Sequence, residues 1–431
     1  MKVKILIAIT ALAVSPILGF CQDVNKLIKQ DDVERIIKTL SADDMEGRGT
    51  FTPGIEKAAK VIEGEFKAAG LKPMAGNAGY RQTFSQIRVV PVNPKVVFDG
   101  MAVPDEKVAI TTSTSFSWKS DSTVLITTLT DEKTYRSQLG TAMRSGKKLL
   151  VIFDASMAGL FKKVRDRAIK GSIAGGRQAQ PIVYVLGVAQ PKAFEASCEV
   201  KSQELPLSNI VGVIPGKTKP DEYVVFGGHY DHLGILKPME GDSIANGADD
   251  DASGTTAVIT LAKYYKKLNN NERTLVFVAF TAEEIGGFGS QYFSKQLNPD
   301  KVVTLFNIEM IGKPAKFGQN SAFITGFERS DFGAILQKNL EGTAFKFYPD
   351  PYPEQNLFYR SDNATLAALG VPAHTISTDQ IPTDKFYHTV KDEYATLDIN
   401  NIVATIRAIA LSSRSIVSGK DTPTRIPKLE K

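Results

Sequence analysis

The chain has 431 residues, 42% hydrophobic, 9% aromatic and 23% charged, the profile of an ordinary folded protein of two to three domains at about 150 residues each. Its 34 glycines and 21 prolines are too few for a collagen-like or low-complexity chain, and a formal charge of +5 leaves no footprint for nucleic-acid binding. Two cysteines, Cys21 and Cys198, and four histidines, His229, His232, His374 and His388, are scarce enough to be informative where they fall inside motifs.

Residues 1–21 read as an export signal. Lys2 and Lys4 give a positive start, residues 5–20 are apolar apart from Thr10 and Ser15, and Gln22-Asp23 begins polar sequence. The run is short for a membrane span, and Ser15-Pro16 would break a spanning helix. Cleavage after Cys21 leaves Gly19 and Cys21 as the small residues before the cut. Lipid attachment at Cys21 is disfavoured by the bulky Phe20 before it. The expected product is exported, to the periplasm or the medium, without stable membrane insertion. Only Cys198 then remains, so no internal disulfide is available and stability must come from core burial.

From 22 to 93 the pattern is helical at first. Val33, Ile36, Ile37 and Leu40 share one face, and Ala58, Val61, Ile62, Phe66 and Leu71 another, with a glycine-rich loop at 45–54 between them. Residues 94–205 change character. Short strand-like runs at 122–128, 148–153 and 181–186 alternate with polar turns, as in a separate β-rich module. From 206 to 417 strand, loop and helix repeat: strands at 223–226, 274–280 and 302–308, helices at 255–268 and 399–410. Continuous apolar strands alternating with helices predict an α/β fold with a doubly wound, mostly parallel sheet, carrying the smaller β-rich domain as an insertion. The polar tail, 418–431, is expected to fray.

The chemistry gathers where the strands end, which is where open α/β sheets bind ligands. The first strand runs into Gly228-His229-Tyr230-Asp231-His232, the second into Ala282-Glu283-Glu284, and the third into Glu309. Gly247 to Gly254 contributes Asp249-Asp250-Asp251 just before a helix, and Tyr387-His388 comes late in the chain. Singly, each has a structural explanation: an aspartate run before a helix is ordinarily a cap, as Asp251 and Ser253 would be. Together they compose a binuclear site for a divalent metal with mixed nitrogen and oxygen ligands, zinc being the first choice. No His-Glu-x-x-His, Gly-x-Ser-x-Gly or Cys-x-x-Cys motif competes with it. Neither His232 nor His374 has an evident partner, so both read as structural or as supports for other site residues. The aromatic and proline-rich segment 345–359 is either a wall of the substrate pocket or a rigid surface loop.

The segments around His229, Asp250, Glu283-Glu284 and His388, with the Glu46-Gly47-Arg48-Gly49-Thr50 loop, resemble the co-catalytic zinc exopeptidases of clan MH. That family includes the leucyl aminopeptidases, aminopeptidase Y, glutamate carboxypeptidase and the catalytically silent transferrin receptor. Many members carry a protease-associated domain where this chain has its β-rich module. The resemblance implies an exported aminopeptidase acting on peptides, with one zinc on His229, Asp250 and Glu309 and a second on Asp250, Glu284 and His388. Asp231 would orient His229 through its carboxylate. Glu283 would be the general base toward a metal-bridging water, and Tyr387 would donate a hydrogen bond to the oxyanion. Glu309 stands where the family usually has Asp, and Asn363 where relatives often have His. The extra methylene of Glu309 is large against a coordination tolerance of ~0.2 Å; if Glu309 does not ligate, one zinc per chain is expected in place of two. The alternatives are an acyltransferase of the glutaminyl cyclase type and a non-catalytic, receptor-like binding protein. Oligomeric state is not legible.

Overall fold

The computed structural model describes residues 24–173 and 180–429; the export signal expected at 1–21, with Cys21, lies outside them. The described chain forms two compact units, one of residues up to Phe84 together with those from Leu207, the other Ser85–Pro206. The first boundary precedes the one expected at 94 because a single continuous strand, β1 (Arg81–Phe98), carries the chain out of the first unit, as β2 (Phe194–Ile214) carries it back. Among the described residues no helix is long and apolar enough to cross a membrane.

The first unit is built on β2, β3 (Lys219–His229), β4 (Arg273–Phe280), β5 (Val302–Ile308), β6 (Ser321–Ile324), β7 (Lys346–Pro349) and β8 (Ala373–Ser377), in the spatial order β7-β6-β8-β5-β3-β4-β2. The central pairs β3/β4, β3/β5 and β5/β8 are parallel, while β2/β4 and β6/β8 are antiparallel. Every residue of β4 and β5 is buried, which is why these strands read as unbroken apolar runs rather than alternating ones. Phe226, Phe277 and Phe306, from three neighbouring strands, stack on one face with centroids 5.3 and 4.8 Å apart.

Helices cover that face. In α1 (Gln30–Leu40) the buried residues are Val33, Ile36, Ile37 and Leu40, the stripe expected from the 3.6-residue period. The next, α2 (Pro53–Ala69), opens with proline in its first turn and closes on Gly70 in the left-handed region at φ 74°. Buried α3 (Gly254–Leu268) follows the aspartate run, and α4 (Ile399–Ser412) is capped by Asp398, which accepts from the Asn401 N–H.

The described part of the C-terminal segment, expected to fray, is packed down. Ile426 is buried and its N–H donates to Gly370, Arg425 donates to the carbonyls of Pro299 and Val302, and Arg273, itself buried, donates to Asp421 and Thr422. One apolar anchor and acceptors at the right spacing outweigh the polar composition of the tail.

The second unit holds a sheet in the order Val108–Thr111, Ile182–Leu186, Lys148–Phe153, Val124–Leu129. It also has two helices, Tyr135–Arg144 and Ala158–Ile169, that the sequence did not suggest. The first buries only Ala142 and the second only Phe161 and Ala168, so neither shows a clear apolar stripe.

Candidate metal centre

Three parallel strands deliver their last residues to one edge of the sheet. The Gly227-Gly228 pair before His229 is required there: a Cβ on Gly228 would lie 2.9 Å from the Asp251 carboxylate and 3.0 Å from the Ile308 carbonyl. Glu309 follows β5 directly, Glu283 and Glu284 sit in the turn after β4, and Asp250 precedes α3, with a cis peptide bond to Asp251. His388 arrives on a late loop.

All of the sequence-predicted ligand residues converge. Nε2 of His229 lies 3.1 Å from Asp250 Oδ1 and 3.2 Å from Glu309 Oε1. Across the shared carboxylate, Nε2 of His388 lies 3.2 Å from both Asp250 Oδ2 and Glu284 Oε2. Atoms bound to one tetrahedral zinc at 2.0–2.1 Å stand about 3.3 Å from each other, so each histidine stands at co-ligand spacing from its two carboxylates. His232 is placed differently. Its Nδ1 is 2.8 Å from Glu284 Oε1 and 3.8 Å from Asp250 Oδ2, a hydrogen-bond distance to the oxygen of Glu284 turned away from His388. A third acidic group, Asp249, Asp379 and Asp384, already contains a cation: Lys313 Nζ lies 2.6 Å from Asp384 and 3.3 Å from Asp249.

Burial works against charge throughout the centre. It opposes ionisation of Asp250, yet His232, His229 and His388 around that residue hold its carboxyl well below the usual range. Burial pushes Glu283 well above the usual range, with Glu309, Asp362 and Glu284 adding repulsion that His229 only partly relieves.

The supporting contacts change one expected role. His229 Nδ1 is hydrogen-bonded at 3.0 Å to the main-chain carbonyl of Asp231, while the Asp231 carboxylate is 3.8 Å away. That carboxylate accepts instead from the N–H groups of Glu283 and Glu284 and from the Thr50 hydroxyl. It fixes the turn that presents both glutamates, and the backbone beside it orients the imidazole.

Other supports had little or no signature. Arg48, fully buried, donates to the carbonyls of Leu40, Tyr230, Asn246, Gly247 and Asp250. The Glu46–Thr50 motif marked its position but not this task. The Asp392 carboxylate accepts from the N–H groups of Asp249 and Asp250, and nothing in the sequence pointed to it. Ser361 donates to Glu309 Oε2 at 2.6 Å and accepts from Asn307 at 2.7 Å. The longer arm of Glu309 is thus gripped at one oxygen while the other faces His229. Asn363 is structural, donating to the carbonyls of Phe358 and Ala373 and accepting from Thr375. His374 is structural too, held by Ser330 and Thr325 and stacked on Phe332.

A cavity of about 80 Å³ opens on the centre, bordered by Glu283, Glu309, Tyr387 and His388. Tyr387 stacks on His388, ring centroids 3.9 Å apart. Phe323, Leu357 and Ile381 form apolar wall; within 345–359, Leu357 is the residue that reaches it.

Residues 209–412 match the model of peptidase family M28. Over 141 residues the chain is 30% identical to a probable zinc metalloprotease of Leptosphaeria maculans, covering 32% of this chain and 31% of that protein. Over 211 residues it is 31% identical to leucine aminopeptidase 1 of Penicillium rubens, covering 44% and 51%. The chain therefore spans about a third and about half of these relatives' lengths. Among solved structures, the fold is shared with an aminopeptidase from Aneurinibacillus sp. strain AM-1, at TM-score 0.56 and 18% identity over 95% of this chain and 97% of that one. It is shared also with a zinc aminopeptidase from Bacillus subtilis, at TM-score 0.56 and 16% identity over 90% and 95%. The segment that matches peptidase family M28, residues 209–412, carries every proposed ligand, and through it the chain is similar to that family.

Proposed function

We propose that the protein is an exported zinc aminopeptidase that hydrolyses the first residue from peptides. The observation that carries this reading is the pair of ligand sets sharing Asp250, with Glu283 on the wall of the same cavity. His229, Asp250 and Glu309 would hold one zinc, and Asp250, Glu284 and His388 a second. Two such ions, when bound, lower the pKa of water and polarise the scissile carbonyl.

The chain's own residues do the rest. Glu283 takes the proton from the attacking water and returns it to the leaving amine, a task suited to a carboxylate whose proton affinity is raised by burial. The Asp231 carboxylate keeps Glu283 on station by holding its N–H. The Tyr387 hydroxyl, on the cavity wall beside His388, supplies a hydrogen bond to the developing oxyanion. His232 donates from Nδ1 to Glu284 Oε1 and leaves Oε2 for the metal. The inserted unit is assigned as a protease-associated domain, and residues 1–21 as the removable export signal.

The test is release of a chromogenic amine from a panel of aminoacyl amides, with and without chelator, by the native chain and by Glu283→Gln. The expected result is chelator-sensitive activity that the Gln variant loses by about a thousandfold or more while binding the same metal. Full activity in that variant removes Glu283 from the role. Ammonia release from N-terminal glutaminyl peptides without amide cleavage identifies a cyclase, and two zinc equivalents per chain support Glu309 as a ligand.

A further inference from the structure

Beyond the proposed ligands and Glu283, the cavity is short of free polar groups. Ser377 spends its hydroxyl on the Met310 carbonyl and Thr375 on Asn363, while Thr325 accepts from the Thr375 N–H. Asp379 is buried at the cavity wall. Burial, with Asp249 and Asp384 beside it, pushes its carboxyl up to about 9, so it is protonated at neutral pH.

Arg360 is the exception. It borders the same cavity as Glu283, Tyr387 and His388, and it is exposed. Its guanidinium makes only long contacts to Gln355, at 3.4 Å to the side-chain oxygen and 3.5 Å to the carbonyl. Among the described residues it has no carboxylate partner. A guanidinium offers a fork of N–H donors that matches a carboxylate in two-point contact. An unpaired one at the edge of a cavity whose other walls are largely apolar or internally satisfied, the buried Asp379 carboxyl aside, suits a substrate that brings its own carboxylate.

We propose that Arg360 binds a carboxylate of the substrate, and that the preferred substrates are therefore dipeptides with a free C-terminus. The inference rests on the aminopeptidase reading above. In a dipeptide the C-terminal carboxylate stands one residue, about 3.8 Å of chain, beyond the cleaved bond; in a longer peptide that place is an uncharged amide. An acidic side chain on the first residue offers the same chemistry from the other side of the bond, so the experiment separates the two sources.

Zinc-loaded full-length chain, native, Arg360→Gln and Arg360→Lys, is assayed on leucyl-leucine, its C-terminal amide leucyl-leucinamide, and glutamyl p-nitroanilide against leucyl p-nitroanilide. In the native enzyme kcat/KM is expected to favour the free acid over the amide. Arg360→Gln lowers that ratio about tenfold or more through KM, and Lys restores part of it. A loss confined to the glutamyl substrate keeps the carboxylate contact but assigns it to the first side chain. Ratios unchanged on both pairs overturn the proposal. If the native chain cleaves none of the substrates, the aminopeptidase reading fails on its own. Calorimetric binding of the two dipeptides, with and without Arg360→Gln, then decides: a free-acid preference removed by the substitution upholds the contact, and equal binding overturns it.

Discussion

The identity of one side chain can be judged only with its neighbours. Glu309 is one methylene longer than the Asp expected at its position, and the sequence left open whether it could serve as a ligand. The geometry is compatible with that role: Ser361, itself held by Asn307, grips Oε2 and leaves Oε1 3.2 Å from His229. Partners of this kind, one step behind a ligand, are worth about 10–100-fold in metal affinity. On the two-ion reading proposed above, Ser361→Ala should therefore weaken one ion by about that factor and spare the other. Chelator competition followed by metal counting should show occupancy falling from two toward one per chain; uniform retention of both would remove Ser361 from the role. The convergence of the proposed ligands was legible because His and carboxylates at strand ends form a recognisable pattern. Ser361 was not, since a lone serine fifty residues away from its partner carries no spacing signal.

At the level of elements, the parallel strands were readable almost to the residue. β5 occupies 302–308 as expected and β4 begins one residue before the expected start, because strands buried on both faces leave unbroken apolar runs. The helices of the inserted unit hid for the converse reason, burying too few residues to imprint a period. Harder still are tertiary contacts to main-chain atoms. Arg48 joins the end of α1, the loop after β3 and the segment leading to α3 through five carbonyl groups, and carbonyls have no letter in a sequence. An apolar substitute leaves those acceptors buried and unpaired, at about 1–3 kcal/mol each before relaxation. Arg48→Met should accordingly destabilise the chain by about 3 kcal/mol or more in urea titration. Folded protein recovered below the transition should also hold zinc more weakly than native, whereas native-like stability would show that water replaces the guanidinium.

For the whole molecule, acid sensitivity follows from the core as well as from the metal centre. His374 is fully buried, stacked on Phe332 and hydrogen-bonded at both nitrogens. Burial lowers its pKa from the ordinary value near 6.5 to about 4. The unfolded chain therefore takes up this proton first as pH falls, so stability is lost between about pH 6.5 and pH 4, by about 3 kcal/mol when complete. Comparing urea midpoints at pH 7 and pH 4.5 for native and His374→Asn metal-free protein isolates the contribution: the native chain should lose more stability over that interval. Equal losses would assign the acid sensitivity to the carboxylates alone.

The fixed charge of Arg48 has a further consequence for the life of the protein. A guanidinium stays charged through the physiological pH range, and its five contacts, like those of Asp231 and Asp392, are to backbone and neighbouring loops. The loops that carry His229, Asp250 and Glu283 are thus pinned by the polypeptide itself. A site pinned in this way is a ready-made receptacle: its ligands are held in place before an ion arrives, so metal loading need not be coupled to folding.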